Sequence, residues 1–195
     1  ALPDMAPAKQ FRGIGLSDIF EIAGALAAQF TYVNTYLDTR PRLDITHPDF
    51  ERYGGQDFIV ASDVFEHVPP PVVKAFENAR RLLAPGGKLI FSVPFSLDAE
   101  TIEHFPDLHE WRIETASGKP ALVNRAADGT VTEHSHLVFH GGGGATLEMR
   151  RFALAGLERH LAEAGFARFR VAGEHYLPFG IYWKDPWSVP MVAYR

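Results

Sequence analysis

The chain has 195 residues, the length of one domain with a substantial buried core. Hydrophobic residues make up 46% of it, yet no apolar run approaches the ~20 residues that a membrane helix needs, and residues 1–10 lack the apolar centre of a signal peptide. The net charge of −5 argues against a nucleic-acid surface, and the lack of cysteine excludes disulfides and thiolate metal sites. We therefore expect a cytoplasmic protein, outside the membrane, whose partner is small or neutral.

The N-terminal part predicts an arm followed by a strand, a helix and two more extended stretches. The Ser17-Asp18 pair is a typical helix N-cap, and apolar residues recur at helical spacing after it. In chain order the predicted segments are the arm at residues 1–9, a strand at 11–16, a helix at 19–30, a β-prone run at 31–37 and a strand end at 42–46.

A β-α-β crossover is predicted over residues 57–94. The apolar run at 58–61 has no polar alternation, which is typical of a strand buried on both faces. Three prolines at 69–71 lead into a helix at 72–83, and Pro85-Gly86-Gly87 is expected to end that helix. A second apolar strand follows at 89–93, so the unit forms a right-handed parallel crossover.

The strings DFIVASDVFEHV and ARRLLAPGGKLIFSVP in this crossover resemble, in order and spacing, one stretch of class I S-adenosylmethionine-dependent methyltransferases. That stretch comprises the family's fourth strand, the following helix and the fifth strand. The resemblance covers residues 11–94 and 152–195. It implies one α/β domain with a three-layer, Rossmann-like sheet that is mostly parallel and has an antiparallel C-terminal strand. It also implies methyl transfer from S-adenosylmethionine to a small-molecule or sugar-like acceptor.

The resemblance assigns four residues to the cofactor. Ser62 and Asp63, at the carboxyl end of a parallel strand, would line the methionine and sulfonium end, where open α/β sheets bind ligands. Asp44 matches the acid at the end of the family's third strand, beside the adenine amino group, and Ile45 would pack on the base. The alternative is that Asp44 only caps a loop.

Residues 13–17 are similar to the family's second strand. Gly15 then stands where the ribose-binding acid is expected, and Asp18 could replace that acid or be a plain helix N-cap. The chain from these glycines to Asp57 is too short for two full β/α units. We therefore expect the family's first strand and glycine loop to be missing, with that strand either preceding residue 1 or formed by residues 1–10.

Glu66 and His67 are placed by the resemblance beside the transferred methyl group. Methyl transfer needs in-line placement and, for an oxygen acceptor, a base that works near neutral pH. An imidazole with an ordinary pKa of ~6.5 suits that role. The alternative is that His67 caps the helix and holds the loop.

Residues 95–151 depart from the family pattern and are predicted to cover the acceptor site. Asp128-Gly129 predicts a hairpin turn, and the glycine run at 141–144 a hinge or a backbone wall near the substrate. The insertion holds five histidines: His104, His109, His134, His136 and His140. The last three could form a metal site, because His134 and His136 share a strand face. We favour pocket-lining or exposed side chains and predict no metal.

The C-terminal part predicts a helix at residues 152–164 and strands at 169–172 and 189–194, which match the family's closing antiparallel hairpin. Aromatic residues between the strands are core or shape the acceptor pocket. Two rival functions remain open. One is an inactive, methyltransferase-like binding or accessory domain of a larger protein. The other, a nicotinamide-dependent Rossmann enzyme, is disfavoured because the Gly-x-Gly-x-x-Gly fingerprint is absent. The sequence gives no oligomeric state.

Overall fold

The structure is a computed structural model that describes residues 6–116, 118–140, 146–184 and 189–195. The helices are Phe20–Gln29 (α1), Phe50–Tyr53 (α2), Val73–Leu82 (α3) and Leu154–Glu163 (α4), with 3-10 turns at Phe65–His67 and Leu177–Phe179. The strands are Arg12–Leu16 (β1), Thr31–Thr35 (β2), Gln56–Ser62 (β3), Leu83–Ser92 (β4), Phe95–Ser96 (β5), Ile102–Glu103 (β6), Glu110–Ala116 (β7), Lys119–Arg125 (β8), Val131–His134 (β9), Phe139–His140 (β10), Thr146–Leu147 (β11), Arg150–Ala153 (β12), Arg168–Val171 (β13) and Met191–Tyr194 (β14).

A six-stranded sheet forms the centre of the molecule, in the order β13-β14-β4-β3-β1-β2. Strands β2, β1, β3 and β4 are parallel, whereas β14 runs antiparallel to both β4 and β13. The right-handed crossovers through α1 and α3 progress in opposite directions along the sheet, so their helices lie on opposite faces. The predicted three-layer, Rossmann-like sheet with an antiparallel C-terminal strand is confirmed.

Strand β1 corrects the assignment made from the sequence. It pairs with β2 on one side and with β3 on the other, which is the place of the first strand in a doubly wound sheet. Residues 12–16 are therefore the first strand and not the second. Because residues 12–16 occupy that place, the expectation that the first strand lies before residue 1 or in residues 1–10 is wrong. The chain from Gly15 to Asp57 is short because only the four-residue helix α2, and no full β/α unit, lies between β2 and β3.

The core lies between the sheet and α3. Ile59, Leu89 and Phe76 are fully buried, as expected for strands covered on both faces. The rings of Phe65 and Phe76 stack with centroids 4.3 Å apart, which ties the turn after β3 to the helix that follows it. Burying each such side chain stabilises the fold by about 1.5–3 kcal/mol.

Three predicted boundaries are wrong. The N-cap of α1 is Ile19, and neither Ser17 nor Asp18 caps it. Helix α3 ends at an extended Leu83, so Pro85-Gly86-Gly87 belongs to an irregular start of β4, where Gly86 has φ +78°. The strand expected at residues 42–46 is a loop and a turn, with one bridge from Arg42 to Tyr36, the residue after β2.

Helix α1 carries its apolar residues differently from the prediction. Leu26 is buried against the sheet, whereas Phe20 is 86% exposed, and Ile19 and Ile22 are exposed as well. The predicted stripe of apolar residues is therefore only half covered. No helix within the described ranges is long and apolar enough to cross a membrane.

The insertion folds as small sheets beside the main one. Strands β7, β8 and β9 form an antiparallel meander, and the predicted turn at Asp128-Gly129 joins the last two. Strand β12 pairs with β5 and β6 and leads the chain back to α4. A second apolar cluster holds the insertion together, formed by Phe105, Leu122, Leu147 and Met149. The glycine run at 141–144 lies outside the described residues.

The closing hairpin is confirmed by α4, β13 and β14. The aromatic residues of the loop between the last two strands differ in burial. Trp183 packs against the main core, whereas Tyr176 and Tyr182 are exposed. Trp187 lies outside the described residues.

Candidate functional site

A cleft of about 680 Å³ opens at the carboxyl ends of β1, β2 and β3. Strand order reverses between β1 and β3, and open α/β sheets bind ligands at such a point. The sheet side of the cleft is formed by Leu16, Ser17, Thr35, Tyr36, Leu37, Asp38, Thr39, Leu43, Asp44, Ile45, Thr46, Asp63, Val64, His67, Val68 and Pro69. The insertion supplies Trp111, Ile113, Thr146, Leu147 and Met149. The cleft therefore lies between the main sheet and the insertion.

Two residues with left-handed backbone end the central strands at the cleft. Ser17 follows β1 with φ 64°, and Asp63 follows β3 with φ 52°. Residues other than glycine rarely adopt this conformation, and such strain is concentrated at functional sites. Asp63 is held by Ser92 of β4, whose carbonyl accepts from the Asp63 N–H at 3.0 Å and whose hydroxyl donates to the carboxylate at 3.1 Å.

Asp44 and Ile45 line the cleft together. The Asp44 carboxylate accepts from the Thr46 N–H at 2.9 Å and from the Thr46 hydroxyl at 2.6 Å, so the loop-capping alternative describes its local contacts. Asn78 of α3 donates to the Ile45 carbonyl at 2.9 Å. The turn is thus fixed from both sides, with Ile45 buried and Asp44 at the cleft wall.

Gly15 and Asp18 are not among the described residues that line the cleft. Asp18 is buried, and its carboxylate accepts a short hydrogen bond from the Tyr32 hydroxyl. Burial raises the pKa of Asp18, and the hydrogen bond from Tyr32 opposes this rise only in part. A Cβ at Gly15 would collide with the Tyr32 hydroxyl, the Asp18 carboxylate and the Asn34 amide. Gly15 therefore leaves room for a polar cluster beneath the turn after β1.

The segment after β2 was not predicted as part of the site, yet its residues line the cleft: Tyr36, Leu37, Asp38 and Thr39. Rossmann-type sheets place an acid for the ribose hydroxyls at this position, about 20 residues after the first glycine turn. Asp38 satisfies that spacing once β1 is recognised as the first strand. Ser62, in contrast, is exposed at the end of β3 and is not part of the described cleft wall.

His67 lies in the 3-10 turn after β3 and faces the cleft. Its Nδ1 donates to the Leu147 carbonyl of the insertion at 2.9 Å, which leaves Nε2 with a free lone pair. Burial lowers the pKa of His67, although the bond to the carbonyl acts in the opposite direction. The imidazole is therefore neutral at neutral pH.

Glu66 is almost fully buried behind His67, with Oε1 3.7 Å from His67 Nε2. Neither of its carboxylate oxygens has a hydrogen bond to another described residue. Burial, and then the nearby charges of Asp63 and Glu148, raise the pKa of Glu66 to about 8, while its own backbone N–H and Arg150 act in the opposite direction. The carboxyl is an unusual group to find unpaired in a protein interior.

Arg150 fastens this turn to the insertion. The guanidinium is fully buried and donates from Nε to Glu103 at 2.7 Å and from Nη1 to the Phe65 carbonyl at 2.7 Å. The Met149 N–H donates to the Glu66 carbonyl at 2.8 Å. The backbone that carries Glu66 and His67 is thus held by strand β12 and its neighbour.

The three histidines considered for a metal site, His134, His136 and His140, do not come together as one ligand group. His134 packs its ring against Phe105, and His136 is exposed. His140 instead lies with its ring centroid 5.1 Å from that of His67. Among the described residues, the potential metal ligands that come together are Glu66, His67 and His140, whose ligand atoms all lie within 4.8 Å of one another.

Comparison with known proteins agrees with this geometry. Over its full length the chain is similar to an S-adenosylmethionine-dependent methyltransferase structure from Mesorhizobium loti, with a TM-score of 0.53, 16% identity and 95% of that chain covered. A Burkholderia thailandensis 1,6-didemethyltoxoflavin-N1-methyltransferase, solved with 1,6-didemethyltoxoflavin and S-adenosylhomocysteine, has a TM-score of 0.54 and 14% identity over 97% of this chain and 72% of that one. The N-terminal domain of EvdMO1, determined in the presence of SAH and D-fucose, has a TM-score of 0.54 and 17% identity over 94% and 76%.

No curated protein matches the sequence. At these identities the structural likeness establishes the fold alone. A family model, described as methyltransferase domain, matches residues 8–129, which is more than half of the chain. That range includes β1, the turn after it and the segment with Glu66 and His67. The chain therefore belongs to the methyltransferase domain family and has the class I, S-adenosylmethionine-dependent form predicted from its sequence.

Proposed function

We propose that this methyltransferase acts in the cytoplasm and transfers the methyl group of S-adenosylmethionine to a small-molecule or sugar-like acceptor. The observation that carries the proposal is the cleft at the carboxyl ends of β1, β2 and β3, with Asp38, Asp44 and Asp63 on its wall. Small molecules in structurally similar proteins, D-fucose and 1,6-didemethyltoxoflavin among them, support an acceptor of this size. The net charge of −5 supports a partner other than a nucleic acid.

For the cofactor we propose a path along the strand ends. Asp38 would bind the ribose hydroxyls, and Asp44 with Ile45 would hold the adenine. Asp63, at the end of β3, would accept from the ammonium group of the methionine part, with Ser62 beside it. Gly15 and Asp18 would act indirectly, by shaping the turn after β1. Carboxylates suit these tasks because charge-assisted hydrogen bonds are about twice as strong as neutral ones.

Glu66 and His67 would lie at the reacting end. In the transfer, the acceptor atom forms a bond to the methyl carbon as the carbon–sulfur bond breaks, and the electron pair of that bond goes to sulfur to give neutral S-adenosylhomocysteine. An acceptor hydroxyl must also lose its proton. His67 lines the cleft, and the lone pair of its Nε2 would take that proton. In-line placement supplies much of the remaining rate enhancement.

The insertion would form the acceptor side of the site. Trp111 and Ile113 come from β7. Leu147 contacts His67, and Met149 contacts Glu66, in each case through a backbone hydrogen bond. Apolar side chains on this wall exclude water from the reacting atoms. A cover of this kind explains why an insertion of more than fifty residues lies against the strand ends.

Calorimetric titration of the 195-residue chain with S-adenosylmethionine and S-adenosylhomocysteine tests the proposal. We expect both to bind in the micromolar range with one site per chain. A variant with Asp128→Asn, remote from the cleft in the hairpin turn, is the control and should bind equally. Absence of binding up to millimolar ligand would contradict the proposal and favour a methyltransferase-like accessory domain.

A further inference from the structure

The group formed by Glu66, His67 and His140 has the chemistry of a metal site. Its three ligand atoms lie within 4.8 Å of one another and come from a carboxylate and two imidazoles. This donor set suits divalent transition metals such as zinc and manganese, and two histidines with one glutamate are the protein ligands in several catalytic zinc sites. From the sequence no metal was predicted, and the alternative considered there comprised His134, His136 and His140.

The buried carboxylate of Glu66 gives a reason for a cation here. The side chain is 1% exposed, and neither oxygen bonds to another described residue. An unpaired polar group in the interior costs free energy. A cation between Glu66 and the two imidazoles would give this carboxyl group a partner.

Both histidines have a second partner, as metal ligands usually do. His67 Nδ1 donates to the Leu147 carbonyl at 2.9 Å, and His140 Nε2 lies 2.7 Å from a carboxylate oxygen of Glu148. Metal-binding histidines nearly always give their second ring N–H to a carbonyl or a carboxylate, which fixes the tautomer and turns the remaining lone pair to the metal. Glu148 also accepts from His104 at 2.7 Å, so it is itself held in place.

We propose that Glu66, His67 and His140 bind one divalent transition metal ion, with Glu148 positioning His140. Three protein ligands leave a coordination position open. Because His67 lines the cleft, that position faces the space next to the proposed acceptor wall. The ion would polarise the acceptor oxygen and ease the loss of its proton, the task otherwise given to the His67 lone pair. This role rests on the proposed function, whereas metal binding does not.

The test is a titration of the metal-free chain with Zn²⁺ and with Mn²⁺, without S-adenosylmethionine or acceptor. Equilibrium dialysis with elemental analysis should find one ion per chain. His140→Ala and Glu66→Gln should each weaken binding at least tenfold, and Glu148→Gln should weaken it about tenfold. His136→Ala removes an exposed histidine of the same insertion and is the control. It should bind like the unaltered chain.

Thermal unfolding of each variant shows whether it is folded. If Glu66→Gln does not fold, the Glu148→Gln variant still tests the site. Failure of the unaltered chain to bind either ion overturns the proposal. So does equal binding by all folded variants, which would mark an adventitious surface site. S-adenosylmethionine binding is measured separately on the metal-free chain, so a failure of the proposed function is distinguished from a failure of the metal site.

Discussion

Arg150 donates a hydrogen bond of 2.7 Å to the carbonyl oxygen of Phe65, a residue 85 positions earlier in the chain. This contact joins the insertion to the turn that carries Glu66 and His67. The guanidinium is fully buried, and its other described partner is the Glu103 carboxylate. The geometry of the proposed reacting end therefore depends on a buried residue outside the cleft wall.

Replacing Arg150 should reveal this dependence. We expect Arg150→Met to lower the free energy of unfolding by about 3 kcal/mol, because Glu103 and the Phe65 carbonyl lose a buried donor. The neighbouring Arg151 forms an exposed ion pair with Asp98, so Arg151→Met should cost about 1 kcal/mol or less. Urea unfolding measures both. Equal losses in the two variants would show that Arg150 has no special structural role.

Two glycine substitutions test the packing beneath β1. Gly15→Ala should destabilise the fold by about 1–3 kcal/mol, because its Cβ meets the side chains of Asp18, Tyr32 and Asn34. Gly24 lies in α1 with open space around it, and Gly24→Ala should stabilise by about 0.5–1 kcal/mol. Denaturant unfolding should give shifts of opposite sign, and a neutral Gly15→Ala would mean that the cluster relaxes freely.

The pKa of Asp18 predicts how stability varies with pH. Burial raises this pKa in the folded state, so the folded chain holds the proton more tightly than the unfolded chain. Stability from this group is complete below the ordinary aspartate pKa of about 3.9 and is lost as pH rises through the folded value. Asp18→Asn removes this pH-dependent contribution to the free energy of unfolding. The variant should therefore gain stability relative to the unaltered chain as pH rises from about 4 to 7.

Thermal unfolding of both proteins across this pH range measures the difference. A difference that stays constant with pH would contradict the shifted pKa. Asp128 serves as the control position, because it is exposed in the hairpin turn. Asp128→Asn should not reproduce the trend seen with Asp18→Asn.

Asp38 should matter for cofactor affinity and little for stability. It is exposed at the cleft wall after β2, where a carboxylate can accept from two ribose hydroxyls. We expect Asp38→Asn to weaken S-adenosylhomocysteine binding about tenfold or more, by calorimetry, with an unchanged melting temperature. Unchanged affinity would remove Asp38 from the cofactor site and direct attention to Asp44.

Ile113 tests the role of the insertion as the acceptor wall. It is partly exposed on β7 and lines the cleft. Ile113→Ala should raise KM for the best acceptor in a panel of small sugars and heteroaromatic amines about tenfold, because apolar contact is lost. Affinity for S-adenosylmethionine should not change. Val131→Ala, exposed on β9 of the same small sheet, is the control. If only the affinity for S-adenosylmethionine fell, Ile113 would contact the cofactor and not the acceptor.

Local patterns predicted the crossover of β3, α3 and β4 well, because uninterrupted apolar runs and helical periodicity report burial directly. They could not place β1. A strand's position in a sheet depends on which distant strands it pairs with, and residues 13–17 resemble either of two strands. That one error placed the expected ribose acid at position 15 and left Asp38, the acid now proposed, out of consideration.

The group of Glu66, His67 and His140 could not be predicted from the sequence for a similar reason. Glu66 and His67 were identified from the family motif, but nothing near His140 marks it as their neighbour. Strands β10 and β11 and the Met149 contact bring it there after a long excursion of the chain. His134 and His136, which share the spacing of a metal site, lie elsewhere. The period-two spacing of two histidines therefore did not predict which histidine lies beside Glu66.

The two walls of the cleft come from separate lengths of chain, residues 16–69 and residues 111–149. On the proposed roles of the two walls, replacement of the insertion would change which molecule is methylated and leave the proposed cofactor site intact. Only the junction must be preserved, where Arg150, Met149 and Leu147 meet the Phe65–His67 turn.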